Sequence, residues 1–232
     1  MSKKSVGYFN VEYKLDENIN QYNSILFIVL LINKDLHIIV NQEYVEPDNK
    51  IFHKEFASEY RPWVYICKNS NLVLKAALLV LENTELDRLT TWHLGFDITM
   101  LHNSNYDYKS NYIIDELIID RNINPILSKP KVILFKRYNH VNIISALPLF
   151  AEKNEKQQSY QLGYIIKEFL GDQYLRPVED LKHLNGIEYH RKMQEKEYAI
   201  PNIMEVIHET IALKALNDQM NFLEDIPYNA LK

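Results

Sequence analysis

Ile25-Leu-Phe-Ile-Val-Leu-Leu-Ile32, Asn33-Lys34-Asp35 and Leu36-His-Ile-Ile-Val40 run on without interruption, and how this passage is read decides the fold. Both apolar runs are short and rich in β-branched residues, and the polar triplet between them has the length and chemistry of a hairpin loop. The passage therefore reads as two antiparallel strands, with one buried helix over the same span as the rival reading. Eight apolar residues fall far short of the roughly 20 that a membrane-spanning helix requires, so no transmembrane segment is read.

On the N-terminal side, Val6 to Leu15 alternates apolar and polar residues with one slip, which adds a third strand. On the C-terminal side, Trp63-Val-Tyr-Ile-Cys67 reads as a strand, and Asn71-Leu-Val-Leu-Lys-Ala-Ala-Leu-Leu-Val-Leu-Glu82 as a helix with Asn71 as its N-cap. That helix is apolar nearly all round and is expected at the centre of the core. Lys131–Phe135 and Val141–Ser145 are two further strands, with a turn at Tyr138-Asn-His140. From Glu152 the period changes. Glu152–Ser159 is a charged linker or the exposed start of a helix. One helix capped by Ser159 ends at Gly171, a second runs from Pro177 toward Tyr198, and a third opens at Pro201 and continues to about Glu224. The expectation is an α+β protein, its mixed or mainly antiparallel sheet enclosing the 71–82 helix. Residues 1–150 form a strand-rich core domain and 151–232 a helical C-terminal subdomain.

Only five glycines occur in 232 residues, at Gly7, Gly95, Gly163, Gly171 and Gly186, and no two are closer than eight positions. Phosphate-cradling loops, dinucleotide turns and nucleophile elbows need closely spaced glycines, so these are excluded by inspection. The lone Cys67 cannot form an internal disulfide and lies in an apolar run, where a thiol is a small buried hydrophobe. No apolar run follows Met1-Ser-Lys-Lys4, so no secretory signal is read, and a reducing cytoplasmic setting, or a particle assembled there, is expected.

The net charge of −5 argues against a generally basic protein. Between Arg121 and His140, however, Arg121, Lys129, Lys131, Lys136 and Arg137 occur with no acidic residue, a local +5 that leaves −10 for the rest. With Phe135 and Tyr138 this segment is a candidate anion or nucleic-acid surface; its bland counterpart is a set of cations paired with the acidic remainder. Arg88-Leu-Thr-Thr-Trp-His93 has the Arg-x4-His spacing of HEPN-type ribonucleases, to which the resemblance is poor: Leu89 stands where a polar residue is usual, and that fold is all-helical. Glu205-Val-Ile-His208 has the Glu-x-x-His spacing of di-iron sites, with Glu188, Glu195 and His190 nearby, yet no second copy exists. Asp115, Glu116 and Asp120 lack a nuclease signature. No catalytic residue, metal ligand or cofactor is assigned.

Sixteen tyrosines, several in the polar stretch His102–Tyr112, supply the residue type favoured at interfaces. Tyr106, Tyr108 and Tyr112 on that stretch, with Tyr60, Arg61 and Trp63 of Tyr60-Arg-Pro-Trp63, are the interface candidates. A turn leading into a strand with Trp63 in the core explains the second group as well and is the preferred local reading. With catalytic signatures missing, the chain reads as a non-enzymatic protein-protein interaction or assembly subunit, partnered by other proteins or by further copies of itself. Twenty-three Asn, 26 Ile and 20 Lys against 6 Arg suggest A/T-rich coding, which points to a bacterial or phage multiprotein complex. The alternative is a nucleic-acid-binding protein or ribonuclease using residues 121–140 and Arg88/His93.

Overall fold

A computed structural model describes residues 5–16, 21–86, 88–93, 133–135, 141–184 and 186–223. The decisive passage is a hairpin. Strand β2 (Gln21–Ile32) pairs antiparallel with β3 (Asp35–Asn41), Ile32 facing Asp35, so the connecting loop is the two residues Asn33-Lys34 and not the expected three. Asn33 takes a left-handed φ of 56°, a conformation Asn tolerates better than other non-glycine residues.

Around this hairpin the described residues build a mixed sheet of seven strands in the order β4-β3-β2-β1-β5-β7-β6. Strand β1 (Val6–Asp16) runs antiparallel to β2, while β4 (Arg61–Cys67) lies parallel to β3, joined to it through helix α1 (Asn49–Phe56). Beyond β1, the strands β5 (Arg88–Thr91) and β7 (Val141–Ser145) are parallel additions, and β6 (Ile133–Phe135) closes that side antiparallel to β7. The antiparallel start, the mixed sheet and the α+β class thus match the sequence reading, although β5 was not foreseen.

Helices cover both faces. One face carries Phe9, Val11, Ile28, Leu30, Ile32 and Ile39 and receives Val73, Ala77 and Leu81 of α2 (Ser70–Glu82). The other carries Tyr8, Phe27, Val29, Leu31, Leu36 and Ile38, and is packed by α1, α3 (Ala146–Lys153), α4 (Leu162–Leu170) and above all α6 (Ala199–Met220). Strand β2 lies between the two layers, and every residue from Ile25 to Ile32 is at most 4% exposed. A bulge opposite Glu12/Tyr13 inserts Leu26 as an extra residue, so Leu26 and Phe27 enter the same cluster although alternation would separate them.

Helix α2 differs from its expected central place. Its stripe Val73, Ala77, Leu81 at intervals of four is buried, but Leu79 is 48% exposed, so the helix is a one-sided cover with an apolar back. Its N-cap is Asn69, two residues before the expected Asn71: the Asn69 side chain accepts from the Leu72 amide at 3.0 Å. The adjacent Ser70 hydroxyl accepts from the Ile25 amide at 2.7 Å, which ties the helix start to the bulge region of β2.

The most buried helix is α6, with Ile203, Val206, Ile207, Leu213 and Leu216 directed at the sheet and Pro201 in its first turn. It stops at Met220 and not near Glu224, because Asn221 turns left-handed with φ of 56° and caps it. Buried Arg88 donates to the Leu223 carbonyl, and Lys153 donates to the Asn221 carbonyl at 2.9 Å, so two cations sit at the negative end of the helix dipole. The expected single helix over Pro177–Tyr198 is interrupted. Two 3-10 turns, Glu179–Leu181 and Lys196–Tyr198, flank the short α5 (Gly186–Met193), which begins at the glycine whose interior placement would cost about 1 kcal/mol. Glu152–Ser159 divides between the end of α3 and a loop. The expected boundary near residue 150 falls inside α3, and one core cluster draws residues from both sides of it, from Tyr8 to Leu223.

Tyr44 joins those two parts of the chain. Its hydroxyl donates to the Met193 carbonyl at 2.6 Å and accepts from the buried Asn202 amide at 3.0 Å, while burial raises its pKa and keeps it a neutral donor. Tyr44→Phe removes both bonds without removing the ring, which costs about 1–3 kcal/mol. Urea unfolding is expected to show a lower midpoint at an unchanged slope, as for loss of stability within one cooperative unit.

Candidate functional site

Among the described strands, β4 lies at one edge of the sheet. At its two ends the Arg61 amide donates to the Lys34 carbonyl at 2.7 Å and the Gln42 amide donates to the Cys67 carbonyl at 2.7 Å. With the period of two, the backbone groups of Arg61, Trp63, Tyr65 and Cys67 turn toward β3, and those of Pro62, Val64 and Ile66 turn outward. Among the described strands none pairs with that outer row. Pro62 has no amide to offer, so the row that the described strands leave open consists of the Val64 and Ile66 amides and three carbonyls.

The side chains alternate in the same way. Val64 packs toward the α6 face, where Pro62 is also buried and Ile66 is 46% exposed. On the α2 face, Trp63 is 50% exposed, which corrects its expected place in the core: α2 covers Cys67 and the middle of the sheet, and the start of β4 is left open. The Asp35 carboxylate holds two neighbours at once, accepting from Arg61 Nη2 at 2.7 Å and from Trp63 Nε1 at 3.0 Å. An exposed ion pair of this kind adds little stability. Its effect is orientation, since guanidinium and indole are fixed beside one another before any partner arrives.

Next to them His37 is buried, its Nδ1 3.1 Å from the Tyr65 hydroxyl and its ring stacked on that tyrosine. Burial lowers the His37 pKa against the opposing pull of Asp35, so the ring is neutral at pH 7. An Arg, a Trp and a Tyr on one uncovered strand face, arranged by Asp35 and His37, form a surface of the composition that anchors protein interfaces.

Of the sequence candidates, Arg61 and Trp63 belong to this surface. Tyr60 does not: it is partly buried and packs against the core on the α6 side. Tyr106, Tyr108, Tyr112, Arg121, Lys129, Lys131, Lys136 and Arg137 lie outside the described residues. Asp35, His37 and Tyr65 were missed, because Asp35 read as a loop residue and its pairing with Arg61 becomes visible only once β3 and β4 are known to be parallel and in register.

The Arg88/His93 spacing falls on and just after β5, a strand and not a helix. Arg88 is 2% exposed and engaged with the end of α6, withdrawn from any surface that an RNA phosphate could reach. Glu205 and His208 share α6 but meet different neighbours. Glu205 accepts from the Tyr189 hydroxyl at 2.7 Å, and His208 packs on Phe56 with its Nε2 4.0 Å from Glu55. Glu195 pairs with Lys192 and His190 stands edge-on to Tyr189. Among the described residues no three His, Cys, Asp or Glu side chains gather as a metal-holding set. Cys67 is buried, and burial raises its pKa away from the thiolate.

One group of acids does converge between β1 and α6. Glu209 is 3.4 Å from the Asn10 amide, with Glu205 and Glu12 close enough to repel it and Tyr189 of α5 bonded to Glu205. Burial first, then the two neighbouring carboxylates, push the Glu209 carboxyl up to about 8. Its pKa is raised relative to an unfolded Glu near ~4.3, so the stability it contributes is complete below ~4.3 and is lost as pH rises through 8. The pKa values of His37, His190 and His208 are all lowered, so these rings titrate on the acid side of ~7 and leave the range above it clear. Thermal melts between about pH 7 and 9 are expected to show falling stability, and Glu209→Gln is expected to flatten that slope.

The chain matches no protein-family model, and no curated protein is significantly similar to it.

Proposed function

We propose that this protein is a non-enzymatic interaction or assembly subunit that makes its principal contact through β4. The observation that carries this reading is the half-exposed Trp63, held with Arg61 on the single Asp35 carboxylate along a strand whose outer backbone groups pair with no other described strand. Exposed edges are ordinarily protected by lysines, inward charges or bulges. Among the described residues, Pro62 is the one such protection along the outer row. Two supports converge: the open row can take main-chain hydrogen bonds from an added strand, and the aromatic side chains beside it supply anchors. The coding composition favours a bacterial or phage assembly as the setting.

The test is co-purification and light scattering of gently isolated native material. A species well above the 27.5 kDa of one chain is expected. Trp63→Ala is expected to weaken its association by roughly 30-fold, equivalent to a hot-spot loss of about 2 kcal/mol, while the melting temperature barely moves. Asp35→Ala, which frees Arg61 and Trp63 without removing them, is expected to give a smaller loss in the same direction. A solitary chain with no partner at any concentration would contradict the proposal.

A further inference from the structure

We propose that the occupant of the β4 edge is a second copy of the same chain, joined by antiparallel β4 to β4 pairing about a two-fold axis at Val64. This rests on the reading of β4 as the contact surface and identifies the partner. Strand β4 spans Arg61 to Cys67, and Val64 is its midpoint. A two-fold axis there is the one register that places all seven residues opposite a strand residue. Val64 then faces Val64 of the second copy, and both belong to the outward row, so the two residues exchange a pair of hydrogen bonds. Each Ile66 amide donates to the carbonyl of the opposite Pro62, adding two more. The donor that Pro62 lacks is needed only by the Ile66 carbonyl at the rim, where water can replace it.

The side chains fit the same register. On the α6 face Val64 meets its equivalent, and the 46%-exposed Ile66 covers the opposite Pro62. On the α2 face each Trp63 stands in a non-hydrogen-bonded position against Tyr65 of the second copy, the closer kind of cross-strand pair and favourable for two aromatics. Charge does not oppose the match. The single charged residue of the strand, Arg61, is neutralised by its own Asp35 and lies opposite Cys67, so no like charges meet. Such a patch, the same on both subunits and closing on itself, has the geometry of an isologous dimer. The product is one continuous sheet through both copies.

The experiment is light scattering of the purified full chain over a concentration series, with circular dichroism and melting curves to confirm folding. The wild-type chain is expected at twice the 27.5 kDa chain mass. Val64→Pro removes both central donors but no bond to β3, and Ile66→Lys sets an ammonium group against the apolar pair at the axis. Each is expected to raise the dissociation constant at least ~10-fold. In a Cys67→Ser background, Val64→Cys is expected to form an intermolecular disulfide, because cross-strand Cα atoms at a hydrogen-bonded pair are about 5.5 Å apart. Pro62→Cys and Ile66→Cys, displaced from the axis, are expected not to. A dimer unaffected by both edge variants, or crosslinking at residue 62 or 66 in place of 64, would overturn the pairing. A wild-type monomer that binds a different protein through Trp63 would overturn the second copy yet leave the interaction role standing, whereas a monomer that binds nothing defeats both.

Discussion

Burial of β2 on both faces is the constraint on which the rest of the structure depends. From Ile25 to Ile32 the strand has no polar side chain and almost no surface, so each face must be covered by something else, and the backbone groups on each side must be paired. Strands β1 and β3 supply the pairing. Helices α2 and α6 supply the covers, with several large apolar residues on each face, each worth roughly 1.5–3 kcal/mol when fully buried. The two covers are unequal because their sequences are unequal. Helix α2 offers small Ala77 between Val73 and Leu81, whereas α6 brings a longer series of branched residues and is joined by α1, α3 and α4.

Much of this was legible because β strands and turns leave local marks. The run Ile25–Ile32 was correctly a strand through its β-branched content, and Asn33 marked the turn because Asn tolerates the left-handed backbone it adopts. Less legible were features set by distant partners. The apolar character of α2 suggested a helix enclosed on all sides, yet burial depends on what is packed around a helix and not on the helix alone. Arg88 could be weighed only as part of a poor Arg-x4-His match, because its bond to the Leu223 carbonyl just past α6 involves a residue 135 positions away. Strand β5 was missed because its four residues, Arg88 to Thr91, carry only one large apolar side chain, and the strand is held by parallel neighbours that no local pattern reveals.

The site was half legible for a related reason. Arg61 and Trp63 stood out by residue type, but Trp63 was expected inside because tryptophan has so much apolar area to bury. It is outside because β4 is the last described strand on its side and α2 crosses nearer the middle of the sheet. Asp35 could not be recognised as its anchor from sequence, since the two lie 28 positions apart and meet only through the parallel register of β3 and β4.

The packing of α6 also bears on biosynthesis. The sheet face formed by Tyr8, Phe27, Val29 and Leu31 emerges early from the ribosome, while Ile203, Val206 and Leu213, which cover it, are translated more than 170 residues after Leu31. At roughly 5–20 residues per second, that face waits on the order of ten seconds or longer for its natural cover. During this interval the nascent chain presents a broad oily surface, so its yield in a cell is expected to depend on chaperone capacity as well as on final stability.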